Sequence, residues 1–161
     1  MKRYHVEYTD QWKWGPMTWW VHAPLDGKPD HESDLREPPM PKPVPGRGFP
    51  YYHVEVDGFT FPFASLDEWD VCVSTLSQKH LPSTEREVRA RGTIGCPVWN
   101  WLDTLPAEVK SWRYREKAVK FLVKRRQELE REPEGSQMAS RGSWMKAVGC
   151  HCFALAHTLG G

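Results

Sequence analysis

The sequence has few cysteines, no long apolar run and no apolar stretch among its first residues. Its four cysteines among 161 residues are unevenly spaced, which argues against a disulfide framework. No apolar stretch approaches the roughly 18 residues that a membrane span needs, and the first residues, MKRYHVEY, lack the apolar core of a signal peptide. We therefore expect a soluble, cytoplasmic protein, and the length predicts one domain.

Familiar catalytic motifs are also missing. The chain has no nucleophile elbow, no Walker A phosphate loop and no dinucleotide-binding glycine pattern. A pair formed by Cys96 and His80 would lack a third group to orient it. These absences do not exclude an enzyme, but they favour a non-catalytic binding protein.

Aromatic residues, by contrast, are abundant, with 9 tryptophans. Several of them fall in segments that alternate apolar and polar residues, and a period of two predicts strands with one covered face. The four predicted strands are residues 3–9, 17–22, 51–56 and 59–63.

The dipeptide Asp57-Gly58 lies between the third and fourth of these segments. It predicts a type I′ hairpin turn, because both central residues of that turn need positive φ. The register then places Val56 opposite Phe59 and keeps the apolar faces of both strands on one side. Pro62 has no N–H, so the fourth strand is expected at an edge of the sheet.

The segments around these strands complete the predicted fold. Residues 24–50 are acidic and rich in proline, so we expect a mobile loop there. Ser65 and Glu68 predict the capping box of a helix, and a basic helix is predicted to end near residue 132. Residues 133–161 are predicted to form a linker and a C-terminal amphipathic helix.

Together these elements predict an α+β fold. Its parts are a four-stranded antiparallel sheet made of two hairpins and three helices that follow and pack on the sheet. Residues 1–132 would form the single domain, including the Pro-rich acidic loop.

Charge is unevenly distributed along the chain. Residues 1–70 hold 7 basic and 12 acidic side chains, whereas residues 71–161 hold 15 basic and 9 acidic ones. At 100° per residue, four cations of the basic helix form a ridge opposite its apolar stripe. Such a ridge can neutralise nucleic-acid phosphates, although the same geometry is typical of an ordinary solvated helix. This basic ridge consists of Arg113, Lys117, Lys120 and Lys124.

A second candidate surface is the tip of the predicted first hairpin. Trp12 and Trp14 lie there, and a turn cannot easily bury two indoles. Trp20 lies on the polar face of the predicted second strand. Exposed rings beside Lys13 can stack on bases or anchor a protein contact. Alternatively, a later segment of the chain covers them.

Three histidines form a third candidate site. One register of the first hairpin places His5 directly opposite His22, with His53 on the same face of the third strand. Three imidazoles can bind Zn²⁺ and leave a position open for water, which would permit hydrolysis. Another register separates His5 from His22, and surface histidines without a metal are common. No cofactor other than this possible zinc is predicted.

One stretch, between about Phe59 and Leu122, contains the segments FTFPFASLDEWDVCV, LSQKHLPST, NWLDTLP and KSWRYREKAVKFL. This stretch resembles a group of short uncharacterised proteins encoded by proteobacterial mobile elements such as phages and integrative elements. The resemblance implies no activity. It implies a context in which proteins of this size are often DNA-associated factors or inhibitors of host machinery, including anti-CRISPR proteins.

The sequence therefore predicts a non-catalytic, mobile-element-encoded binding protein. It would engage nucleic acid, or a host protein that handles nucleic acid, through the basic helix and exposed aromatics. One alternative is an anti-CRISPR-like inhibitor of a host defence complex that contacts protein only. Another is a zinc-dependent hydrolase that uses the three histidines.

Overall fold

The computed structural model describes residues 1–25, 33, 35–83 and 100–131. Its architecture is α+β, as predicted. The strands are β1 Lys2–Thr9, β2 Ala23–Pro24, β3 Arg36–Glu37, β4 Phe49–Val56 and β5 Phe59–Phe63. The helices are α1 Thr18–Val21, α2 Leu66–Leu76, a short 3₁₀ helix Trp101–Thr104, α3 Ala107–Lys110 and α4 Trp112–Arg131.

The main sheet is antiparallel, with the strand order β1, β4, β5, while β2 and β3 form a separate ladder. The hairpin predicted at Asp57-Gly58 is confirmed, because Val56 pairs with Phe59 and both turn residues have positive φ. β5 lies at an edge of the sheet, as the lack of an N–H at Pro62 predicts.

The prediction of a strand at residues 17–22 is wrong, because Thr18–Val21 form a single helical turn, α1. A short apolar run fits both the strand and the helix period. β1 consequently pairs with β4, and the first predicted hairpin is not formed. The main sheet has three strands among the described residues.

The Pro-rich loop contains regular structure in the part that can be described. β3 pairs with β2, and Val44 forms an isolated bridge with Gly48. Arg36 of β3 is buried and donates from Nη1 to the carbonyl of His22 at 2.9 Å. Backbone pairing and a buried arginine thus give these residues regular structure despite the missing apolar core, and the mobility of the loop stays a prediction.

Two helices cover one face of the main sheet. The ring of Trp69 in α2 is fully buried and stacks on Phe63 at 5.1 Å. Tyr4 of β1 lies 5.9 Å from the Trp69 ring and 5.8 Å from the guanidinium carbon of Arg125 in α4. Leu122 on the apolar stripe of α4 is fully buried, as the helical periodicity predicts.

Two arginines of α4 that lie outside the basic ridge join this helix to α2. Arg115 is buried and donates to the carbonyls of Leu76 and Gln78 at 3.0 and 2.6 Å, where α2 ends. Arg126 forms a bidentate pair with Asp70 at 2.9 and 3.2 Å. These two side chains are thus structural, whereas the residues of the basic ridge face outward from α4.

The chain separates into two units, Met1–Gln127 and Glu128–Gly161. The linker and amphipathic helix predicted for residues 133–161 lie outside the described residues. Within the part of the chain that the structure describes, no helix is long and apolar enough to cross a membrane.

Candidate functional site

A series of three indoles follows β1. Trp12 meets Trp14 edge-on, with 4.8 Å between ring centroids and 72° between planes. Trp14 stacks on Trp19 at 4.4 Å and 24°. Trp12 is half-buried, whereas Trp14 and Trp19 are 43% and 49% exposed. These three residues, here called the tryptophan platform, form a series that begins inside the protein and ends at solvent.

A buried carboxylate holds the segment that carries the platform. Thr18 donates from Oγ1 to Oε1 of Glu68 at 2.6 Å and accepts the N–H of Gly15 at 2.8 Å. The other carboxylate oxygen of Glu68 accepts the N–H of Ala64 at 2.8 Å. Both Thr18 and Glu68 are fully buried. The turn before α1 and the helix itself are therefore fixed to α2.

Ser65 and Glu68 only partly follow the predicted capping box. Ser65 is the N-cap of α2 and accepts the N–H of Glu68 at 3.1 Å, as expected. The Glu68 side chain, however, bonds to Ala64 and Thr18 rather than to the N-cap itself. This residue therefore connects two segments that are distant in the sequence.

His22, just after α1, forms a second buried link. Its Nδ1 lies 2.8 Å from the carbonyl of Pro38 and its Nε2 lies 2.8 Å from Oγ of Ser65. Because a carbonyl only accepts, Nδ1 donates, and in the neutral imidazole Nε2 accepts the Ser65 hydroxyl. A serine and a histidine at this distance resemble a nucleophile and its base. Both are buried and Ser65 caps a helix, so we interpret the pair as structural.

Arg36 supports the platform from β3. Its guanidinium carbon lies 5.2 Å from the ring centroid of Trp14, within the range of a cation–π contact. The same side chain bonds to the His22 carbonyl. Because Arg36 is buried, it stiffens the platform and does not add positive charge to the exposed surface.

The structure changes the composition of the predicted aromatic site. Trp14 is exposed as expected, but Trp20 is only 9% exposed, so its predicted exposure is wrong. Lys13 is exposed, yet its Nζ lies 3.4 Å from Glu7 and 4.6 Å above the Tyr51 ring. These contacts direct Lys13 toward the sheet.

The sequence pattern does not indicate Trp19 as a site residue. Residues 17–22 fit a strand, in which Trp19 shares the apolar face with Met17 and Val21. In a helix, Trp19 points away from Met17 and Val21, which are both buried. The signal that could have indicated this is the dipeptide Gly15-Pro16 just before the segment, since Gly-Pro pairs mark turns.

The basic ridge lies on the outer side of α4, and all four of its residues are exposed. Glu116 and Asp57 are among the acids that lie beside it. Glu116 lies 3.1 Å from Nζ of Lys120, and Asp57 lies 4.0 Å from Nζ of Lys117. Exposed pairs of this kind are weak, so the ridge stays cationic, although less purely than the sequence pattern indicates.

The histidines are arranged differently from the prediction. His5 lies opposite His53, not opposite His22, and the two rings stack at 4.4 Å and 7°. His53 Nε2 lies 3.1 Å from Glu7. This hydrogen bond, followed by the positive charge of Lys13, lowers the pKa of Glu7.

The predicted zinc site is therefore not assembled from these three residues. His22 follows a helix, and both of its ring nitrogens already have partners. In residues 1–25, 33, 35–83 and 100–131, no group of three or more His, Cys, Asp or Glu residues could hold a metal. The zinc-dependent hydrolase gains no support from this geometry and stays a prediction that elemental analysis of the purified protein can check.

Comparison of the chain with family models, with curated proteins and with solved structures finds no significant match. The surfaces described above are therefore the basis for assigning a function.

Proposed function

We propose that the chain is a non-catalytic binding protein that engages nucleic acid through the tryptophan platform and the basic ridge. The observation that carries the proposal is the stack of Trp14 on Trp19, with both rings more than 40% exposed. Contiguous exposed apolar surface of this kind marks interaction sites. Indole rings also suit the flat faces of bases, and each base that stacks on an aromatic side chain contributes about 1–3 kcal/mol of binding free energy.

Two further observations support a preformed site. Glu68 and Arg36 are both buried and hold the platform from two other elements. Rigid aromatic anchors lose little conformational entropy on binding.

The proposed setting is the bacterial cytoplasm, where a mobile-element protein meets nucleic acid and the host proteins that handle it.

The basic ridge supplies the electrostatic part of the proposal. From Arg113 to Lys124 the helix rises about 16 Å, which is long enough to follow several phosphates of one strand. Neutralising phosphates releases counterions, so binding through the ridge must weaken as salt increases.

We expect Lys120→Glu/Lys124→Glu to weaken binding of a fluorescent single-stranded oligonucleotide at least about tenfold at low salt. Loss of two phosphate contacts should also make the slope of log affinity against log salt less negative by about 1.4. Fluorescence anisotropy over a salt series measures both effects.

The matched control is Lys42→Glu/Lys79→Glu, which changes net charge equally at two exposed positions that are not among the four residues of the ridge. Equal losses for both pairs would show that net charge, not the ridge, governs binding. Absence of any binding by the unaltered protein at low salt would refute the proposed function. A host protein captured in a pull-down that persists after nuclease treatment would favour the protein-only inhibitor instead.

A further inference from the structure

We propose that the outer face of Trp19 is a stacking site for one unpaired nucleobase. This inference rests on the proposed function and specifies which part of a nucleic acid the tryptophan platform receives.

The order of the indoles indicates where a ligand ring would sit. Trp12 lies against Trp14 edge-on, and Trp14 lies against both Trp19 and the guanidinium of Arg36. Trp19 is the last ring of the series and its most exposed member at 49%. A further flat ring placed on Trp19 would continue the stack and cover this apolar surface.

Trp19 is also held in place before any ligand arrives. Its neighbours Thr18, Trp20 and Val21 are buried, and Thr18 is bonded to Glu68 at 2.6 Å. The backbone of α1 is therefore fixed, and the indole has only two side-chain torsions to order. Such preorganisation reduces the entropy lost when a base stacks.

The chemistry of the site favours an unpaired base over a paired one. Inside a duplex both faces of each base are covered by neighbouring bases, so a single protein ring reaches a base only after it leaves the stack. An indole face presents no hydrogen-bonding group, so binding should tolerate any base. The basic ridge favours a polyanion over an aromatic side chain of a protein partner.

Three labelled 12-mers test this inference by fluorescence anisotropy: a single strand, its duplex, and a single strand with every base removed but all phosphates retained. The unaltered protein should bind the intact strand about 5- to 150-fold more tightly than the abasic strand, and more tightly than the duplex. Trp19→Ala should lose a similar factor on the intact strand and nothing further on the abasic strand, whereas Trp19→Phe should retain most of the affinity.

Trp112→Ala is the control, because Trp112 is 48% exposed but lies outside the platform. It should leave the preference for the intact strand unchanged, and thermal melting checks that each variant is folded. Equal binding of intact and abasic strands, with no effect of Trp19→Ala, would overturn the stacking site while the ridge-dependent binding still stood. If no oligonucleotide binds at low salt, the proposed function itself fails. If Trp19→Ala releases a nuclease-resistant protein partner but base removal has no effect, the ring serves a protein contact.

Discussion

Gly48→Ala is expected to lower the free energy of unfolding by about 3–4 kcal/mol. Gly48 has a φ of +94°, and a Cβ there would lie 2.3 Å from the backbone oxygen of Thr9 and 3.0 Å from its carbonyl carbon. Backbone atoms cannot rotate aside as a flexible side chain can. Thr9 pairs with Phe49 at the end of β1, so the clash would force that end of the sheet apart.

Gly46→Ala provides a matched control in the same loop. Gly46 also has a left-handed backbone, with φ +73°, but among the described residues no atom lies within 4 Å of the place that its Cβ would take. Its replacement should cost only the left-handed strain of about 1–2 kcal/mol. Urea unfolding of the two variants gives the difference directly, and equal losses would contradict the close approach of Gly48 to Thr9.

The features that the sequence predicts correctly are those with local causes. The Asp57-Gly58 turn depends on adjacent residues, and the Ser65 cap depends on an N–H three positions later. The outward basic ridge depends on the spacing within one helix. Each of these could be derived without knowing what the rest of the chain contacts.

The features that the sequence misses depend on distant contacts. α1 is held by a bond from Thr18 to Glu68 across 50 positions, and His22 bonds to Ser65 across 43. Neither contact leaves a pattern in residues 17–22, so the strand and helix periods could not be separated there. Because of that one ambiguity, the sequence predicts Trp20 rather than Trp19 in the candidate site. The incorrect pairing of His5 with His22 has the same cause.

Glu68→Ala is expected to lower the free energy of unfolding by about 3 kcal/mol. The change removes the acceptors of the Thr18 hydroxyl and the Ala64 N–H, which lie in the buried interior. It also leaves a void beside Gly15, where a Cβ would lie 3.0 Å from the carboxylate. Chemical denaturation at pH 7 measures the loss, and a change below about 0.5 kcal/mol would contradict the role of Glu68 in holding α1.

Glu68→Gln keeps the side-chain shape and separates the effect of charge. Burial raises the pKa of Glu68 above its ordinary value of 4.5, although the bonds from Thr18 and Ala64 act in the opposite direction. The folded state therefore binds the proton more tightly than the unfolded state does. Protonation of Glu68 adds stability that is complete below pH 4.5 and is lost as pH rises through the folded pKa. Glutamine does not ionise, so the unfolding free energy of Glu68→Gln relative to the unaltered protein should increase from about pH 4 to about pH 7. Denaturation curves across that range test the direction of this change. A difference in unfolding free energy that is constant or decreases with pH would show that the hydrogen bonds lower the pKa of Glu68 at least as much as burial raises it.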